Sequence, residues 1–149
     1  MDHQTQWTEV LSVGVGQIDE EHKHFIRLLD RFNHSETRGL PESELYAMLA
    51  EVMLYTEEHF TNEEALMQAA GYPFVNEHRM QHDLAENEVH RLASGSASEE
   101  EIRKILGRFL LNWLILHIQS ADRKFGLWLK EQGRGPVPEP ETVVCDGDA

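Results

Sequence analysis

An all-α fold, an up-down-up-down antiparallel four-helix bundle preceded by an N-terminal arm, is the architecture this sequence predicts. Three observations predict it. Apolar residues recur at three- and four-residue steps in four separate stretches of the 149-residue chain. The breaks between the stretches are short, about two to six residues, and are marked by glycine and proline, which favours antiparallel neighbours. No stretch alternates convincingly with the two-residue period of a half-buried strand.

Residues 1–18 mix Trp7, Val10, Leu11, Val13 and Val15 with Gly14 and Gly16 and keep no period for long, so they read as an arm lying on the domain. The bundle is expected over 19–132. With Asp19 as its N-cap, the first helix places His22, Phe25, Ile26, Leu29 and Phe32 on one stripe and ends at Gly39. Leu40 and Pro41 open the second helix, because proline at the first helical position costs no hydrogen bond. Its inward stripe is Leu45, Met48, Leu49, Val52, Thr56, His59, Glu63, Leu66, Met67 and Ala70, and Gly71 stops it. A third helix, from about Val75 to Leu92, turns Val75, His78, His82, Ala85 and Val89 to one side. Ser98 followed three residues later by Glu101 is a capping box, opening a last helix that carries Ile102, Leu106, Phe109, Trp113, His117 and Asp122 toward Glu131. Gly133 and Gly135 close it. Residues 133–149, acidic, Pro-rich and aperiodic, read as a disordered tail.

Composition excludes several functions. With 13 Lys and Arg against 27 Asp and Glu, the formal charge is −14, which repels phosphate backbones and anionic lipid surfaces. Nucleic acid is therefore not an expected partner. The longest nearly unbroken apolar stretch, Phe109 to Ile118, is too short to cross a bilayer and reads as a buried helix segment. Cys145 is the single cysteine and the start lacks a secretory pattern, so a cytoplasmic, reducing setting and a monomer are expected.

The nine histidines are arranged rather than scattered. His59 and Glu63 are four residues apart, as are His78 and His82, so each pair shares one helical face. In an antiparallel bundle the start of helix one, the end of helix two, the start of helix three and the end of helix four are level. His22, His59, Glu63, His78, His82, His117 and Asp122 all fall toward that end, inside an otherwise apolar bundle. Buried without partners, such groups would cost several kcal/mol per ionised group. A bound cation removes the difficulty, and seven such donors suit two ions sharing bridging carboxylates better than one. Imidazole with carboxylate, and no thiolate, favours a transition metal over calcium, magnesium or a closed zinc site. His24 faces away from His22, and His3, His34 and His90 have no partner at ligand spacing. His117 and Asp122 do not share a face of a regular helix, being about 140° apart at 100° per residue. A π-bulge between them would turn both inward.

On these residues the sequence resembles the hemerythrins, in particular the single-domain bacterial ones. The matching segments are IDEEHKHF at 18–25, HFTNEEALM at 59–67, HRMQH at 78–82 and HIQSAD at 117–122, and the likeness runs from about Trp7 to about Glu131. The resemblance implies a non-haem di-iron centre with an oxo or hydroxo bridge. One iron would take His78, His82 and His117, the other His22 and His59, with Glu63 and Asp122 bridging. The second iron would then have an open position for dioxygen. The implied function is reversible dioxygen binding, for storage or for delivery to an oxygen-consuming enzyme, and not catalysis. Oxygen or redox sensing, and reduction of peroxide or nitric oxide, are the alternatives. Trp113, Ile26 and Ile118 are the expected pocket lining, with Trp113 near the open iron. Ferritin-like chemistry is disfavoured, because only Glu21 to His24 has the Glu-x-x-His spacing of that class.

Overall fold

The computed structural model describes residues 7–133. The expected tail from residue 134 onward, with Cys145 and Gly135, and the first six residues, with His3, lie outside the described residues. Four helical rods stand antiparallel, joined by tight corners, and no strand occurs among the described residues. The first three are α1 (Gly16–Thr37), α2 (Glu42–Ala70) and α3 (Val75–Ala93). The fourth rod is assembled from α4 (Glu99–Lys104), α5 (Leu110–His117) and α6 (Arg123–Glu131), linked by π-helical turns at Ile105–Phe109 and Ile118–Asp122.

The apolar stripes meet as their spacing requires. Every residue of the expected α2 stripe is buried, Phe60 joins it, and Phe25, Leu29, Phe32, Leu92, Ile102, Leu106, Leu114 and Phe125 come in from the other rods. Leu11, Val13 and Val15 of the arm are buried against the bundle as well. The stretch from Phe109 to Ile118 is helical but not wholly buried, since Phe109 and Leu116 are 47% and 66% exposed. A helix at the edge of a four-rod bundle turns one face outward whatever its residues, and apolar atoms commonly remain on protein surfaces.

Three details differ from expectation. Helix α1 begins at Gly16, behind an extended Val15, so Asp19 lies within the first turn rather than at the cap. Its carboxylate holds the arm instead, accepting from Ser12 Oγ at 2.6 Å and from the Val13 amide at 2.9 Å. Pro41 is itself the cap of α2, with Glu42 the first helical residue. The Ser98 box is half formed: Ser98 Oγ accepts from the Glu101 amide at 3.1 Å, while the Glu101 carboxylate receives Arg91 Nη2 at 2.7 Å. Ser98→Ala should therefore lower stability by about 1 kcal/mol. Calorimetry should show this as a fall of roughly 3–6 °C in Tm.

Candidate metal centre

All seven polar residues placed on the inward stripes come together at one end of the bundle, each at most 4% exposed. The π-helical turn at Ile118–Asp122 lies between the two fourth-rod residues. Widening one turn to close at i+5 brings His117 and Asp122 to the same side, which an unbroken α-helix would not do.

The seven form two groups. Glu63, His78, His82, His117 and Asp122 present donor atoms within 4.8 Å of one another, and so do His22, His59 and Glu63. In the first group His78 Nε2 lies 2.9 Å from Glu63 Oε1 and 2.9 Å from Asp122 Oδ1. His82 Nε2 is 2.9 Å from Glu63 Oε1, and His117 Nε2 is 3.2 Å from Asp122 Oδ1. On the other side His22 Nε2 is 3.0 Å from Asp122 Oδ2 and 3.6 Å from Glu63 Oε2, and His59 Nε2 is 3.8 Å from Glu63 Oε2. The two carboxylates thus turn one oxygen each to the three-imidazole side and the other to the two-imidazole side.

This donor set fits a cation. His117 Nε2 faces the Nε2 atoms of both His78 and His82 at 3.1 Å, so adjacent lone pairs point at one another unless something positive lies between them. Both Asp122 oxygens, Glu63 Oε2, His59 Nε2 and both nitrogens of His22 are buried with no hydrogen-bond partner. Each such orphan ordinarily costs about 1–3 kcal/mol, and six in one place are too many for a structural polar network. Electrostatics agrees. Burial would depress the basicity of His22, but the Asp122 and Glu63 carboxylates outweigh it and raise its pKa to about 9. His117 is raised to about 10, against burial, chiefly by the charge of Asp122. Burial and the neighbouring Glu63 push Asp122 up, yet His117 and His22 hold it below the usual carboxylate range; Glu63 is likewise held low by the histidines around it, against burial. The cluster attracts positive charge from whatever source is present.

The outer nitrogens are anchored by residues that sequence reasoning passed over. His59 Nδ1 meets Glu21 Oε1 at 2.8 Å, His82 Nδ1 meets Glu64 Oε2 at 2.6 Å, and His117 Nδ1 meets Gln81 Oε1 at 3.1 Å. These acceptors require the Nδ1–H tautomer and leave each Nε2 lone pair aimed at the centre. Every one of the three follows or precedes a cluster residue in sequence, yet serves the ring on the next rod: Glu21 beside His22, Glu64 beside Glu63, Gln81 beside His82. That adjacency was the available signal, but which ring each reaches depends on how the rods are rotated. Arg79 Nε in turn holds Glu64 Oε1 at 3.2 Å. Glu64→Gln should weaken metal retention about 10- to 100-fold in chelator competition, with helical content unchanged by circular dichroism.

Aromatic rings close the site. Phe60 stacks on His82 with centroids 3.8 Å apart, and Phe25 meets His59 edge-on at 5.9 Å. Ile26 and Ile118 are buried as expected. Trp113 is half-buried and stacks on His117 at 4.6 Å, also touching Phe60 at 5.8 Å. One turn before His117 is a position over the ring of His117 itself. His24 and His34 are not buried in the cluster, and His90 pairs at the surface with Glu57 at 2.7 Å.

A buried centre of five imidazoles and two carboxylates set between them, inside an antiparallel bundle of four rods, fits a non-haem metal site in a helical protein. The family model described as Hemerythrin HHE cation binding domain matches residues 13–129, and the chain belongs to the hemerythrin family. It is 31% identical over 123 residues to a bacteriohemerythrin of Stenotrophomonas maltophilia, spanning 80% of this chain and 77% of that one. A bacteriohemerythrin of Ralstonia nicotianae is 30% identical over 147 residues, spanning 93% of this chain and 97% of the relative. A solved structure of wild-type hemerythrin superposes with a TM-score of 0.73 at 26% identity, covering 84% of this chain and 97% of that one.

Proposed function

We propose that this chain binds dioxygen reversibly at a pair of iron ions, for oxygen storage or delivery to an oxygen-consuming enzyme. The observation that carries the reading is the division of carboxylate oxygens: Oε1 of Glu63 and Oδ1 of Asp122 face three imidazoles, while Oε2 and Oδ2 face the other two. His78, His82 and His117 would hold one ion, His22 and His59 the other, and Glu63 and Asp122 would join both. The second set has one donor fewer, which leaves room for an exchangeable ligand on that side. A ferrous pair held by these residues would supply the two electrons that reversible dioxygen binding needs.

The chain's own residues favour binding over turnover. Phe25, Ile26, Phe60 and Ile118 keep water from the centre, which suppresses irreversible oxidation. Among the described residues, the buried side chains beyond the seven that carry a polar group include Thr56, whose hydroxyl is committed to the Val52 carbonyl at 2.7 Å, and Tyr72, whose phenol is held protonated by burial and by the charge of Asp122. The half-buried Tyr55 donates to the Glu21 carbonyl at 3.1 Å. Beyond the seven, no buried imidazole, carboxyl or amine among the described residues stands at the centre to drive peroxide or nitric oxide reduction. No helix among the described residues is long and apolar enough to cross a membrane. We take the protein to act as a cytoplasmic monomer, a setting its single cysteine and acidic surface support.

The test is iron content followed by repeated oxygenation of the reduced protein, monitored by absorption. Two irons per chain and a spectrum that returns to its starting point under inert gas are expected. Fewer irons, or oxidation that does not reverse after the first exposure to oxygen, would overturn the reading.

A further inference from the structure

His90, expected to have no partner at ligand spacing, has two. Glu86 stands four residues before it on α3, so their side chains share one face a turn apart. From α2, Glu57 Oε2 comes within 2.7 Å of His90 Nε2. Glu57, Glu86 and His90 each present a donor atom, and the three atoms lie within 4.8 Å of one another.

The packing of α2 on α3 brings these residues together. Phe60 stacks on His82 and Glu64 Oε2 meets His82 Nδ1, which sets the register of the two antiparallel helices. About two turns back along α2 and two turns forward along α3, the same meeting of carboxylate and imidazole recurs as Glu57 with His90. Thr56, Ala85 and Val89 are buried at this level, so the three donors stand on fixed helices rather than on a loop. His90 lies ~12 Å along α3 from His82, which separates this cluster from the buried centre.

The charges at this place do not balance. Neither Glu57 nor Glu86 pairs with a lysine or arginine among the described residues, and Arg91 of the same helix is committed to Glu88 and Glu101. Partial burial and the charge of Glu57 push the Glu86 carboxyl above its ordinary value, Glu64 and Asp83 add to this, and His90 alone opposes them. One imidazole brings at most a single positive charge to two carboxylates, whereas a divalent ion matches both. The donor types narrow the choice of ion. One ring nitrogen with two carboxylate oxygens and no thiolate suits a transition ion better than calcium or magnesium. His90 and Glu57 are 49% and 38% exposed, so small side-chain rotations can close the donors to the ~2.0–2.2 Å of metal bonds while water completes the shell.

We propose that Glu57, Glu86 and His90 form a separate surface metal site, which takes one divalent transition ion of the Fe²⁺ to Zn²⁺ range from solution. The site is independent of which metal the buried centre holds.

The test uses the full-length protein as purified, with its own metal counted first, and Zn²⁺ as the probe. At equal free zinc in equilibrium dialysis, the parent should hold one zinc per chain more than His90→Ala or Glu86→Gln. Each variant should lose affinity for that ion by more than about 10-fold, with helical content unchanged by circular dichroism. Both side chains lie outside the seven residues of the centre, so the metal already bound there should be the same in all three proteins. Zinc soaked into crystals of the parent should give an anomalous-scattering peak between the three side chains. Millimolar Mg²⁺ should not displace it, because an imidazole ligand favours the transition ion. Equal zinc uptake by parent and variants, a peak elsewhere, or displacement by Mg²⁺ would overturn the proposal.

Discussion

Glu63→Gln should reduce the metal held from two ions per chain to one or none. Glu63 is the one residue common to both donor groups, with Oε1 2.9 Å from His78 Nε2 and from His82 Nε2, and Oε2 turned to His22 and His59. Glutamine keeps the volume but supplies one acceptor oxygen and sets an NH₂ donor where the other oxygen stood. It also removes one of the two charges on which the five imidazoles rely. The expected loss of affinity exceeds that of Glu64→Gln, which disturbs only the orientation of one ring, so more than about 100-fold is expected. Metal analysis after dialysis against a weak chelator reads the result. Two irons retained by the Gln variant would contradict the role of Glu63 in joining the groups. Because the histidines around Glu63 hold it ionised, the metal-free Gln variant should melt somewhat below the metal-free parent at neutral pH, so metal content is compared on samples whose helical content by circular dichroism matches the parent's.

Gly126→Ala should be the most destabilising small substitution in the fourth rod. A Cβ at this position would collide with the carbonyl oxygen of Val13 and stand 3.0 Å from its carbon. Both neighbours are backbone, so no side-chain rotation relieves the clash. Either the arm lifts, exposing the buried Leu11, Val13 and Val15, or α6 shifts and takes Phe125 and Leu129 with it. The penalty should be about 2–4 kcal/mol. Thermal unfolding should then show Tm lower by roughly 8 °C or more. Deleting residues 1–14 gives the control: if the clash is the cause, Gly126→Ala should cost almost nothing further in the shortened chain, because the two changes share one contact. A full additional loss there would show that the glycine matters to α6 itself.

Much of this protein can be read directly along the chain. The α2 stripe from Leu45 to Ala70 is buried residue for residue, because helical periodicity of that length leaves the chain few other ways to hide its apolar face. His22, His59, Glu63, His78, His82, His117 and Asp122 were legible for a related reason. A polar residue on an apolar stripe is costly alone, and seven at one level of an antiparallel bundle explain one another. The π-helical turn between His117 and Asp122 was legible as a conflict between a five-residue spacing and a 3.6-residue helix. The second such turn, at Ile105–Phe109, had no comparable conflict to announce it; there Gly107 comes close against Phe32 and Asn33 of α1.

Other features depend on distances between segments far apart in sequence. Asp19 has the chemistry of a helix cap, and its use as a clasp for Ser12 and Val13 depends on the path of the arm. Glu21, Glu64 and Gln81 look like ordinary exposed-face residues of their own helices, and each is assigned to a ring on the next rod only by interhelical rotation. The sequence by itself determined the four rods, their buried stripes and the seven inward polar residues, because those features arise from periodicity within one helix. Only the tertiary structure decided which carboxylate oxygen faces which imidazole, what anchors each ring and where the arm meets α6, because those contacts are set by the rotation and spacing between rods.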